Sequence, residues 1–535
     1  MKRRLCVLVA LIVVLAMLLS GCSELLQRVA GEIQYLRDNR GDTLKYTRPD
    51  VAALQAQLEA CCKASEEEDF DALVAAIEDF YTRYDACITA WSVAELRYNH
   101  DMTNAYWSEE FSWCSEAMSG LEAMHDRLLC TLAVCRHRQK LEAEEYYGAG
   151  YLDAYEADTM WTEEFTALMD QETEILNRYY ELYEASNDAG YGSAYYYEQY
   201  TQPLTQVLLE LVAVRQQQAE SAGYSSYPEF AYEYYYGRSV DPRTVVAYME
   251  QVGEVMTPLY RQINQSDVWN IFYEYTFESE TYRYARETAA AMGGTVAEAF
   301  EHLDAQGLHD IGYNENKYNV SYEVWLPSYN VPYIFMSPSN DPTDQLTFVH
   351  ELGHYTADCA CYGSACGIDV AEVHSQGLEY LSLCCREVDP ALARYKLADC
   401  LSTYVEQSAF ALFEHELYAL EGDALTEENV QQIYSRIGYD FGFDSWAWDT
   451  RDYITVDHFF TSPLYIFSYV VSNDVAFQLY ERELEMAGAG KQIYMQCLES
   501  ETSDIMVLVE ENGLEDPLTG KRLESVLQTL EKILK

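Results

Sequence analysis

The chain has 535 residues, 49% of them hydrophobic, so it can bury a large core and disorder is excluded as its general state. Its 34 Lys and Arg stand against 89 Asp and Glu, a formal charge of −55. A field of that sign repels phosphate, which argues against nucleic acid as a partner and favours neutral or cationic ligands.

The first residues read MKRRLCVLVALIVVLAMLLSGCSE. Lys2, Arg3 and Arg4 form a basic leader, and Leu5–Leu19 is an apolar run, short for a span of roughly 30 Å of hydrocarbon. This pattern is an export signal rather than part of the fold. Its ending, Leu19-Ser20-Gly21-Cys22, resembles a bacterial lipoprotein signal. The resemblance implies loss of residues 1–21 and lipidation of Cys22. It also implies an extracytoplasmic chain anchored to the cell membrane. Removing Lys2, Arg3 and Arg4 with the signal takes the formal charge from −55 to −58. Of the 15 cysteines, 13 remain after Cys6 and Cys22, so at least one thiol is unpaired. The adjacent pairs Cys61–Cys62 and Cys384–Cys385 bridge each other poorly. Mostly buried, reduced cysteines acting as small hydrophobes are therefore expected.

Downstream, the pattern is mostly α. Phe70, Leu73, Ile77, Phe80, Tyr84, Cys87 and Trp91 recur at the spacing of one helical face, and Phe165, Leu168, Ile175, Tyr179 and Leu182 do the same. Glycines and a lost period in SNDAGYGSAYYYEQ (Ser186–Gln199) set a boundary near residue 195. It divides an N-terminal helical region, 22–195, from a catalytic region, 196–535, the two forming one body. Asp241 caps a further helix with Pro242 in its first position, and Val245, Met249, Val252, Met256 and Leu259 make its seam. With 48 tyrosines in the chain, no single tyrosine near a motif is informative alone. Residues 322–336 read differently, as two short β-strands. Pro327 and Pro332 fit only at an edge or a bend, and Val331–Met336 is the better strand.

The next helix is predicted over 343–361, with Asp341 as cap, Pro342 after it and Asp344 adding negative charge to the first turn. It carries TFVHELGHYTADC (Thr347–Cys359). His350 and His354 lie one turn apart on one face, so both imidazoles can reach one ion. Glu351 follows the first histidine, where a carboxylate can take a proton from a metal-activated water. With only 10 histidines in the chain, chance is a weak explanation of this spacing. A second helix, DVAEVHSQGLEYLSLCC, follows the turn Tyr362–Gly367. Its Glu372 completes a two-histidine, one-glutamate zinc set. Alternatively, Asp369 and Glu372 form a capping box. Beside the histidine pair, the ligand reading is the stronger. Glu379, seven residues on, suits a partner for a ligand histidine's second ring nitrogen. His374 and Cys359, Cys361 and Cys366 are weaker ligand candidates.

Three segments resemble the thimet oligopeptidase/oligoendopeptidase F family of zinc peptidases: LPSYNVPYIFMSPSNDPTDQLTFVHELGHYT, VAEVHSQGLEYL and DHFFTSPLYIFSYVVSNDVAFQLY (Asp457–Tyr480). Weaker likeness runs upstream through YPEFAYEYYYGRSVDPRTVVAYME. The resemblance implies a zincin-like fold of gluzincin type, a large helical body split by a deep substrate channel. It implies one Zn2+ held by His350, His354 and Glu372, with Glu351 as general base. His458 and Tyr465 would bind substrate and stabilise the oxyanion, with Tyr469 also contacting substrate. The strand Val331–Met336 would add a peptide strand, with Tyr333 and Phe335 as substrate-binding side chains. The sequence departs from the family at Ala357, where a further histidine is common, and at Phe467 within the tyrosine series. The resulting expectation is a monomeric, lipid-anchored zinc endopeptidase (oligopeptidase) acting on short peptides. The alternative is a non-catalytic peptide-binding lipoprotein, which has no need of Glu351.

Overall fold

The apolar stripes of the sequence become helices whose buried faces meet in three cores. The computed structural model describes residues 44–535 apart from 144–145, 157–161, 187–188, 191, 362–365, 444–447 and 501. The export signal 1–21, Cys22 and most of the turn Tyr362–Gly367 lie outside the described residues.

Helix α1 (Phe70–His100) is capped by Asp69, whose side chain accepts from Ala72 N, and it buries Leu73, Ile77, Phe80 and Cys87. These join a core of residues between Leu54 and Leu152. The expected stripe on α2 (Glu163–Ser186) buries Phe165, Leu168, Ile175 and Tyr179. After it, α3 (Ala194–Ser221) starts from the Ser193 cap. In α4 (Pro242–Asn264), Asp241 accepts from Arg243 N at 2.8 Å and the whole predicted seam is buried. Each such side chain stabilises the fold by roughly 1.5–3 kcal/mol. The largest core runs from Phe165 to Leu534. Helix α2, before residue 195, shares it with later residues, and Tyr179 stacks on Phe460 at 4.4 Å.

The β element is a three-stranded sheet: β1 (His309–Asp310), β2 (Ser321–Leu326) and β3 (Val331–Met336), in the order β1-β3-β2. Strand β1 runs parallel to β3, with His309 opposite Ile334; β2 runs antiparallel, from Ser321 opposite Met336 to Leu326 opposite Val331. Pro327 opens the turn between β2 and β3, and Asn330 closes it with φ 53°. Pro332 is tolerated within β3 for a reason of register. Ile334 N donates to Leu308 O, so Pro332, two residues earlier, faces the same side, beyond the two residues of β1.

This arrangement corrects one expectation. Strand β3 is the middle strand, paired along its whole length with β2 and at Ile334 and Phe335 with β1, so it is not the free edge that an added peptide strand needs. Tyr333 and Phe335 are buried in the core around the sheet, not presented to substrate. Phe335 stacks on Tyr322 at 5.2 Å, and Tyr322 Oη accepts from Asn99 Nδ2 of α1 at 2.9 Å.

Helices α5 (Asp344–Cys361), α6 (Ile368–Ser382) and α7 (Phe467–Glu485) form the centre, with α6 packed against both others and α5 against β2 and β3. Of the thirteen described cysteines, five are buried and none is exposed.

Candidate active site

Almost all of α6 is buried, yet it carries Asp369, Glu372, His374, Ser375, Gln376 and Glu379. Burying such groups costs several kcal/mol apiece unless each finds a partner (~2–7 kcal/mol for an unpaired polar group). Tracing those partners builds the site.

Helix α5 is set by its entry loop. Asp341 Oδ1 accepts from Thr343 N and Oγ1, at 2.8 and 2.6 Å. The Asp344 carboxylate accepts from Ser339 N and Asn340 N, each at 2.8 Å. Asp341 thus caps the turn as the sequence predicts, while regular α-helix begins three residues later. His350 and His354 then face one another with ring centroids 5.0 Å apart. Between them, Gly353 lies against α6 with no room for a side chain. A Cβ there would stand 2.5 Å from both His374 O and Ser375 Cα. That close approach carries Glu372 to the imidazoles. Its Oε2 lies 3.5 Å from His350 Nε2 and 3.9 Å from His354 Nε2. One donor atom from each of His350, His354 and Glu372 falls within 4.8 Å of the others.

Glu372 is oriented from both sides. Ser375 Oγ donates to Oε2 at 3.0 Å, and Tyr465 Oη donates to Oε1 at 3.0 Å. Asp369 is no capping-box partner: the helix cap is Gly367, and the Asp369 carboxylate is taken by Arg238. Glu379 Oε1 pairs with His350 Nδ1 at 2.8 Å, and Lys396 Nζ sits 2.8 Å from Glu379 Oε2. Nδ1 is thus directed to Glu379, and Nε2, facing Glu372, is the His350 nitrogen left to bind a metal. His374 points elsewhere, its Nε2 3.2 Å from Cys497 O. No cysteine joins a metal-binding cluster among the described residues.

The electrostatics suit a cation. Burial opposes a charge on His350, but the hydrogen bond and charge of Glu379, with Glu372 and Glu351, outweigh it and hold the pKa at about 9. Burial pushes His354 well below the usual histidine range, helped by the charges of His350 and His374, so its lone pair is free for a metal. Burial raises Glu351 to about 7 against the pull of His350, with Glu372 and Glu379 adding to the rise. Burial also resists ionisation of Glu379, but Lys396 and His350 keep it below the ordinary carboxylate range. Two imidazoles and a carboxylate with ordered outer partners are a donor set that fits zinc, which would displace the second proton that His350 otherwise keeps.

Beside the cluster, His458, Tyr465 and Tyr469 pack together. Tyr465 lies 5.1 Å from His458 and 5.2 Å from Tyr469 between ring centroids, and His458 Nδ1 pairs with Asp457 Oδ1 at 2.9 Å. Burial and the Glu372 carboxylate keep the Tyr465 hydroxyl protonated far above the usual range. A cavity of about 330 Å³ opens beside His350 and Glu351, bordered by Thr343, Thr347, Glu379, Tyr395 and Asp399. Arg238, Ser375 and Lys396 carry no local sequence signal. Arg238 and Asp369 are 131 positions apart, and only the fold joins them.

The family profile described as Peptidase M3 N-terminal domain matches residues 42–161. No curated protein matches the chain in sequence. The fold is similar to that of Pz peptidase A, solved with an inhibitor, at TM-score 0.75 and 16% identity over 92% of this chain and 98% of that one. It is also similar to a protein assigned as oligoendopeptidase F from Bacillus anthracis strain Ames (TM-score 0.71, 17% identity, 93% and 98% covered). Oligoendopeptidase-F from Enterococcus faecium matches at TM-score 0.57 and 16% identity, with 90% and 96% covered. At such identities the structural likeness speaks for the fold, and the M3 profile adds support for a peptidase.

Proposed function

We propose that this chain is a zinc-dependent endopeptidase that hydrolyses internal bonds of short peptides. The observation that carries this reading is the convergence of His350, His354 and Glu372 donor atoms within 4.8 Å, with buried Glu351 between the two histidines in sequence.

When bound, zinc supplies Lewis acidity toward the scissile carbonyl and the attacking water. Glu351 accepts the proton of that water and passes it to the leaving amine, tasks suited to a carboxylate with a pKa near 7. Tyr465 remains a hydroxyl and donates to the developing oxyanion, with His458 and Tyr469 shaping the same wall. The cavity bordered by Thr347 and Tyr395 receives a side chain of the peptide. Strand β2 has no strand partner on its outer edge among the described residues, which offers a place for extended peptide backbone.

The test is cleavage of a mixed peptide library with and without a chelator, alongside Glu351→Gln. The reading expects chelator-sensitive internal cleavage, lost in Glu351→Gln while zinc and peptide are still bound. Peptide binding without cleavage by the wild type would favour a binding protein instead.

The same proposal places the chain at the outer face of a bacterial membrane through lipidated Cys22, supported by the basic leader and apolar run before it. No described helix is long and apolar enough to cross a membrane. Labelling with palmitate, lost in Cys22→Ala, checks this part.

A further inference from the structure

We propose that Arg238 is a positioning residue that holds the Tyr465 hydroxyl over Glu372, by locking the chain segment before Tyr465 to the first turn of α6. The catalytic consequence rests on the peptidase reading above; the geometry does not.

The Arg238 side chain is 1% exposed. Its Nε and Nη2 donate to the two Asp369 oxygens, at 2.8 and 2.9 Å, a planar fork on a carboxylate. Asp369 stands three residues before Glu372, one turn away on the same helix. The third nitrogen, Nη1, donates to Leu464 O at 2.9 Å, the carbonyl immediately before Tyr465. Ser468 Oγ accepts from Arg238 Nη2 at 2.8 Å and donates to Asp369 Oδ1 at 2.6 Å, closing a triangle. The rings of Tyr236, Tyr232 and Phe467 cover the guanidinium at 4.3, 4.7 and 5.3 Å.

Leu464 has φ 65°, the left-handed region that a branched side chain avoids. Such a conformation persists only where the surroundings over-determine it. Here they do. Leu464 N donates to Glu414 Oε1 at 2.6 Å, Leu464 O accepts from Arg238, and the preceding Pro463 O accepts from Tyr236 Oη at 2.6 Å. Successive backbone groups ahead of Tyr465 are thus held by side chains from elsewhere in the chain, Glu414 and Arg238 among them buried. Tyr465 Oη then reaches Glu372. The contacts form one closed circuit: Arg238, Asp369, a turn of α6, Glu372, Tyr465, Leu464 and back to Arg238. The fork on Asp369 leaves further N–H donors that need acceptors in this buried site, and the Leu464 carbonyl takes one of them; that bond is the one that bears on Tyr465. Lysine keeps the charge but lacks the fork, so it cannot serve both partners at once.

The experiment places 3-fluorotyrosine at position 465 and reads its fluorine resonance in wild type, Arg238→Lys and Ser468→Ala, alongside peptide cleavage and zinc content. One narrow line is expected in wild type, and a broadened or split line in both variants with zinc content unchanged. Arg238→Lys should lower kcat about tenfold, and should cause no further loss in a Tyr465→Phe background. An unchanged fluorine line, or an equal loss in both backgrounds, overturns the proposal. If Arg238→Lys does not fold, Ser468→Ala decides alone by the same two readouts. A wild type that cleaves no peptide sinks the peptidase reading, while the fluorine line still decides the positioning role.

Discussion

The Tyr465 hydroxyl donates to Glu372 Oε1 across 3.0 Å, joining residues 93 positions apart at the edge of the metal-binding cluster. The oxygen nearest the histidines is Glu372 Oε2, so Tyr465 steadies the carboxylate from the far side, and on the proposed reading it turns its one hydroxyl proton from Glu372 to the oxyanion during reaction. Tyr465→Phe should leave zinc content intact and lower kcat roughly 100-fold, the usual cost of one oxyanion donor. Metal analysis and steady-state kinetics on the same preparation check both halves. A loss of zinc would instead make Tyr465 chiefly a support for the ligand.

Glu379 links His350 to Lys396, all three largely shielded from water. Glu379→Gln keeps the shape and removes the charge that favours a protonated Nδ1. Zinc affinity should fall roughly 10–100-fold, measured by competition with a chromogenic chelator.

Gly353 permits the contact between α5 and α6. Gly353→Ala would put a Cβ 2.5 Å from backbone atoms on the facing helix, which cannot rotate away. The expected cost is about 1–3 kcal/mol of stability, read by chemical denaturation, with weakened zinc binding as Glu372 is pushed from the histidines. Unchanged zinc affinity would show that Glu372 follows the displacement.

Glu414 is buried, its Oε2 has no hydrogen-bond partner, and burial raises its pKa from 4.5 to about 8 against the charges of Arg238 and Arg215. The folded state therefore binds more protons than the unfolded state between those two values. This group's contribution to stability is full below pH 4.5 and is lost as pH rises through 8, at up to about 1.4 kcal/mol per pH unit. Glu414→Gln keeps an acceptor for Leu464 N and removes the titration. Its melting temperature, relative to wild type, should climb from pH 5 to pH 8, and a constant difference would contradict this assignment.

By itself, the sequence determined whatever depends on neighbours three or four residues apart. The seam of α4, the Asp241 cap and the pairing of His350 with His354 follow from the helical repeat alone, which any chain segment obeys wherever it lies. Tertiary structure decided the rest. Glu372 had two local readings, and Tyr465 and Ser375, together with the close approach at Gly353, set its carboxylate beside the imidazoles. Strand β3 had the right composition to border a substrate, but β1, two residues long and without a periodic signal, makes it the middle strand, and the packing around the sheet takes Tyr333 and Phe335 into the core. Arg238 meets Asp369 and Leu464 across 131 and 226 positions. Contacts at such separations form only once burial has brought distant segments together, because the cost of leaving a charge unpaired in the core is set by the whole fold, not by its neighbours in sequence.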